Sequence, residues 1–223
     1  MTHTTTEAEP VAGYDATLPR RLLLAGLVVL AWSAVRPHDY FTWFLEVLPA
    51  LAGGALLIGT YPPFRFTNLV YVLVFVHAVI LMIGGHYTYA EMPLFNWLRD
   101  TFGLARNYYD RVGHMAQGFV PAMIAREVLL RTSPLRPGKW LFTIVVSICL
   151  AISASYELFE WGVAEATGQK AEAFLGTQGD PWDTQWDMFL CLCGAVLSLW
   201  MLSGVQDRQL QALGFGAEAG HPR

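Results

Sequence analysis

The chain has 223 residues, 54% hydrophobic, 13% aromatic and only 14% charged, with a formal net charge of −4. A soluble domain carries about 25% charged residues, so this composition excludes an ordinary water-soluble globule and points to a multi-pass membrane protein. The negative balance gives no footing for a nucleic-acid partner.

Residues 1–19 are rich in Thr, Glu and Ala and read as a disordered tail. Arg20 and Arg21 then precede LLLAGLVVLAWSAV. That pairing could pass for a secretory or twin-arginine signal, but more apolar segments follow, so a retained first span is expected. A membrane helix needs about 20 mostly apolar residues. On that rule six spans are expected, near residues 22–35, 41–60, 66–85, 110–130, 140–164 and 185–203. Tyr61-Pro62-Pro63 closes the second and Gly84-Gly85 the third. The expected fold is an all-α membrane bundle over residues 20–205, with a polar, Gly-rich disordered tail over 206–223. No inverted repeat of the kind seen in many transporters stands out. Cys149, Cys191 and Cys193 sit in apolar runs and read as small buried hydrophobes. Cys191 and Cys193 are two apart and cannot share a helix face.

Lys and Arg in the connections set orientation. With the N-terminus inside, nine basic residues fall on the inner side and five on the outer. Both termini are therefore expected in the cytoplasm. Twelve of the eighteen acids fall on the outer half.

Ionisable groups are avoided in membrane helices unless they have a partner or a task. Here they gather at span ends. The third span ends in GGHYTYAEMP, the fourth opens with YDRVGHMAQG, the fifth ends in YELFEW and the sixth is entered through GDPWDTQWD. Alternating spans put all four of these at one membrane face, whichever side is inside. Spacing adds a second constraint: Asp110 and His114 are i, i+4, Glu157 and Glu160 are i, i+3, and Asp183 and Asp187 are i, i+4. Each pair shares a helix face. Gly113 and Gly118 would let the fourth helix approach a neighbour.

Asp110, His114, Glu157 and Asp187 are the candidate metal ligands, Glu160 and Asp183 the candidate general bases, and His86, Glu91, Arg111 and Asp180 the rim. Crowded carboxylates in a bilayer need neutralising: by protein cations (Arg106, Arg111 and Lys170 are available), by protons, or by a divalent metal. Oxygen and imidazole donors without thiolates suit Zn, Mn, Fe or Mg.

HYTYAEMP, YDRVGHMAQGF, YELFEW and QGDPWDTQWDMFL resemble the YjdF-type inner-membrane proteins, a bacterial family of unassigned activity, over residues 20–205. The resemblance implies a cytoplasmic-membrane location and several spans. A more distant similarity is to VanZ-like membrane proteins, linked to glycopeptide-antibiotic resistance. Their pattern maps onto Asp110, Arg111 and His114, then Glu157-Leu158-Phe159-Glu160, then Asp187, Cys191 and Gly194. Here Glu160 replaces a Gln and Cys191 an Asn.

A structural reading competes with the chemical one. Asp110, Asp183 and Thr184 are natural N-caps, and ion pairs also explain polar helix ends. Trp97, Trp140 and Trp182 suit an interfacial belt. His77 reads as a hydrogen-bonded packing residue, and Arg126, Glu127 and Arg131 as inner-interface anchors. Glu46 could join the outer cluster or pair with a neighbour. The first functional expectation is a metal-dependent hydrolase or transferase acting on a lipid or lipid-linked substrate at the outer interface. The alternatives are a proton- or cation-coupled transporter, disfavoured by apolar inner halves, and a non-catalytic scaffold or sensor.

Overall fold

A computed structural model describes residues 15–168 and 172–215. Residues 1–14 and 216–223 of the expected tails therefore lie outside the described residues, as does Lys170. The elements in chain order are α1 (Leu18–Ser33), α2 (Tyr40–Thr60), α3 (Asn68–Tyr87), a 3₁₀ turn (Tyr89–Glu91), α4 (Pro93–Phe102), α5 (Tyr109–Thr132), α6 (Lys139–Thr167), α7 (Glu172–Leu175) and α8 (Asp183–Ala212). There is no strand among the described residues.

Among the described residues, four helices are long and apolar enough to cross a membrane: α2, α3, α6 and α8. α1 has 16 residues, about 24 Å of rise, against a hydrocarbon core of about 30 Å. α5 has 24 residues, but its length includes Asp110, Arg111, Arg126, Glu127 and Arg131. Length and apolarity thus give four spans rather than the expected six. Helix starts follow local chemistry. Asp39 caps α2, accepting the Thr42 N–H at 2.7 Å, and that backbone N–H holds its carboxyl below the usual range. Pro19 and Pro93 stand in the first turns of α1 and α4, where the missing N–H is not needed.

α5 and α8 start at the same end and run parallel in close contact. Two glycines make this possible. A Cβ on Gly118 would collide with the Cys191 carbonyl, and one on Gly194 with the Met115 carbonyl. The expectation for Gly118 holds; Gly113 instead faces the Tyr89 ring. Around this seam lie Ala122, Met123, Val145, Cys149, Cys191, Ala195 and Leu199, all buried. The two fully buried cysteines are packing residues, with Cys191 Sγ 3.4 Å from the Cys149 carbonyl.

The opposite end of the bundle holds a second polar network. Glu127, fully buried, accepts from the Thr67 N–H (3.0 Å), the Thr67 hydroxyl (2.7 Å), Gln206 (3.3 Å) and Arg131 (2.9 Å). Arg126 donates to Gln206 at 2.9 Å and to Asp207 at 2.7 Å. Arg126, Glu127 and Arg131 were expected as inner-interface anchors. They instead tie the start of α3 to the ends of α5 and α8, because a carboxylate removed from water must be matched by donors. The same bonds carry α8 to Ala212, into the segment expected as tail from residue 206. Trp97, Trp140 and Trp182 are exposed, at 58%, 69% and 63%, as belt residues would be.

Candidate functional site

The polar ends expected to meet do meet on α5, α6 and α8. His114 Nε2 lies 3.3 Å from Asp110 and 3.6 Å from Asp187, and Nδ1 lies 3.9 Å from Glu157. Nδ1 is also 3.1 Å from Gln117 Oε1. One donor atom each from Asp110, His114 and Asp187 falls within 4.8 Å of the others, and all three residues are buried. Three donors at that spacing could hold a metal ion. Glu157 and Glu160 are each 9% exposed. Glu157 Oε1 is buried without a hydrogen-bond partner among the described residues.

Two arginines reach all four aspartates. Arg111 bonds Asp187, Asp183 (2.8 Å) and Asp180 (3.1 Å). Arg106, 6% exposed, bonds Asp183 at 2.5 Å and Asp110 at 3.4 Å, and lies 3.7 Å from Asp180. It also donates to the carbonyls of Gly176 (2.9 Å) and Thr177 (3.2 Å). Arg106 was weighed only as a spare cation, yet it shares the centre of the network with Arg111. Its place in a short polar loop gave no sign of burial.

Asp183 is therefore held by both guanidiniums and is not a free base, contrary to its expected role. It does not cap α8 either: it is the first helical residue, and Asp180 accepts the Trp182 N–H at 2.9 Å. Nor does Asp110 cap α5, where the Asn107 side chain accepts the Tyr109 N–H at 3.0 Å. Asn107 is fully buried and also donates to the Met92 carbonyl and Asn96, while Gln178 bonds its backbone. It fastens the loops around the network.

Two expected rim residues lie elsewhere. His86 Nδ1 is 3.0 Å from the Ser33 carbonyl and its ring stacks 4.5 Å from Trp32, so it joins α3 to α1. Glu91 is exposed and accepts from Asn96 at 3.2 Å. The chain turns away at Thr88, whose φ of 64° is unfavourable for a β-branched residue. That turn sends the Tyr89 ring back against Gly84 and Gly113. Small residues at both positions make room for it.

A cavity of about 1270 Å³ opens from this cluster. Asp110, His114, Gln117, Glu46, Tyr156 and Glu160 line its polar end. Apolar side chains of α1, α2, α3, α5 and α6 line the rest. α2 packs along α3, and α6 along α5 and α8, leaving space between α2 and α6. On α5 the lining runs from Asp110 to Leu129, about 28 Å of helix rise. His77 stands on its wall with no hydrogen-bond partner among the described residues, unlike the bonded packing role expected. Glu46, 5% exposed, lines the same cavity as Asp110 and His114.

The family described as "Predicted membrane protein (DUF2238)" matches residues 18–208. The "Inner membrane protein YjdF" of Escherichia coli (strain K12) is 46% identical over 187 residues, covering 84% of this chain and 90% of the relative. No solved structure matches. The matched span begins at the first residue of α1 and ends within the last turns of α8, taking in the Asp–His cluster and both arginines, and the chain belongs to the DUF2238 family of membrane proteins.

Proposed function

We propose that this protein is a bacterial inner-membrane enzyme, a hydrolase or transferase, that acts on a lipid or lipid-linked substrate. One observation carries the reading: the buried Asp110–His114–Asp187 group opens into a long, mostly apolar cavity. An amphiphile fits such a space with its reactive head at the cluster and its chain along the apolar wall. The inner-membrane location draws on the name of the 46% identical relative and on the four apolar helices.

Asp110, His114 and Asp187 hold a divalent ion in this reading. Such an ion would polarise a phosphoryl or carbonyl oxygen, or supply hydroxide from a bound water. Glu160 is the base, because it lines the cavity and has no ion pair among the described residues. Arg106 and Arg111 position the aspartates rather than the substrate. α1 and α5 also cross the bilayer, giving six spans with both termini in the cytoplasm. The polar residues of α5 support this: they face α8 and the cavity rather than lipid.

The test is elemental analysis of detergent-purified protein, with mass spectrometry of a native lipid extract incubated with it. The wild type should carry a divalent metal and convert a lipid; His114→Ala should lose both, and Glu160→Gln should lose conversion while keeping the metal. Metal-free wild type that leaves every lipid unchanged would end this reading. His77 on the cavity wall favours a cation pathway as the second reading, and cation flux in proteoliposomes that tracks Glu157 or Asp187 would put it first.

A further inference from the structure

Charge is unevenly matched around the cavity. The four aspartates of the cluster share Arg106 and Arg111. Glu46 on α2 and Glu160 on α6 have no arginine, only the His114 imidazole in their neighbourhood. Both line the polar end of the cavity and are more than nine-tenths buried, at 5% and 9% exposed. Neither has a hydrogen bond or an ion pair among the described residues. They come from two different helices, α2 and α6, that both line the space.

A carboxyl group buried away from ion partners is neutralised by a proton or by a cation, and a ligand that brings a positive group can take the proton's place here. Aromatic rings stand beside them. Tyr156 and Tyr89 line the same end, and the Tyr156 hydroxyl is buried without a hydrogen-bond partner. Carboxylates with tyrosine rings are the surroundings in which organic ammonium groups bind, through charge and ring quadrupole together. An anionic head group meets the reverse here, because both arginines are already occupied by aspartates.

We propose that the cavity takes an amphiphile whose head group carries an ammonium, seated between Glu46 and Glu160, with its chain along the apolar wall. The proposal rests on the reading of the cavity as an amphiphile site and names the class of head group. A lining that follows α5 for about 28 Å accommodates a chain longer than one leaflet, whose hydrocarbon depth is about 15 Å.

Native mass spectrometry of the full chain in neutral maltoside detergent tests it. The probes are hexadecyltrimethylammonium, hexadecyl phosphate and hexadecanol, which share one chain length. The ammonium should bind at least about tenfold more tightly than the other two. That preference should vanish in the Glu46→Gln, Glu160→Gln double variant, which should still bind hexadecanol. Glu165→Gln, at an exposed acid, should keep it. Equal binding of all three probes by the wild type overturns the proposal without any variant having to fold. So does a preference that survives in the double variant, or Mg²⁺ binding lost in that variant without any ammonium preference. His114→Ala separates the two readings: it should stop lipid conversion yet retain ammonium binding. Ammonium preference without conversion would sink the enzyme alone, and conversion without that preference would sink this inference alone.

Discussion

Arg111 contacts three aspartates within hydrogen-bonding distance, at 10% side-chain exposure. Removing one partner of a buried pair costs about 3–5 kcal/mol, because the remaining charge stays buried. Arg111→Met should therefore destabilise the protein by that amount, read as the unfolding midpoint in detergent. Arg111→Lys should recover only part of it, since an ammonium cannot reproduce the planar fork. Asp180→Asn should cost under about 1 kcal/mol, as that side chain is 25% exposed and its interactions are screened. Equal losses for Asp180→Asn and Arg111→Met would mean that burial does not set the strength of this network. The spacing of Asp110 and His114 foretold that they share a face. It could not show that Arg106, from a loop, would reach into the same place.

Between elements, the seam of α5 and α8 decides how closely the acids of one helix meet the imidazole of the other. Small residues permit such approach, and here the carbonyls of Cys191 and Met115 occupy the space a side chain would take. Gly118→Ala and Gly194→Ala should each cost about 1–3 kcal/mol from forced separation of the backbones. Gly162→Ala on α6, with open space around it, should be neutral or slightly stabilising. Retained stability in Gly118→Ala would show that the two helices can slide apart without loss. At the other end, Glu127→Ala should release the start of α3 from α5 and α8, by stranding Arg131 and the Thr67 N–H. Limited proteolysis at residues 62–66 would report that release. The sequence disclosed the glycines but not their partners, and it made Arg126, Glu127 and Arg131 look like interface anchors. Nothing in a string of residues says that Gln206 will arrive between them.

For the molecule as a whole, the arrangement puts the Asp–His cluster at one face and the Glu127 network at the other, with the apolar cavity between. The orientation expected from basic residues makes the first face the outer one. Single cysteines on a background lacking Cys149, Cys191 and Cys193 would test it. Asp100→Cys on α4 should react with an impermeant maleimide in intact cells, and Thr132→Cys at the end of α5 only after permeabilisation. The reverse pattern would invert the topology and place the cluster in the cytoplasmic leaflet.

The sequence by itself determined the class of molecule, the boundaries of its long helices to within a few residues except at the end of α8, and the face where the Asp–His cluster gathers. All three follow from local rules: apolar length, helical spacing and the alternation of direction. Tertiary structure alone decided which acids are satisfied. Two arginines take four aspartates, while Glu46 and Glu160 are left to face a cavity. The difference comes from geometry across helices, where a rotation or a turn such as that at Thr88 sends His86 toward Ser33 rather than into the cluster. Helix spacing fixes neighbours along one element; only packing fixes neighbours between them.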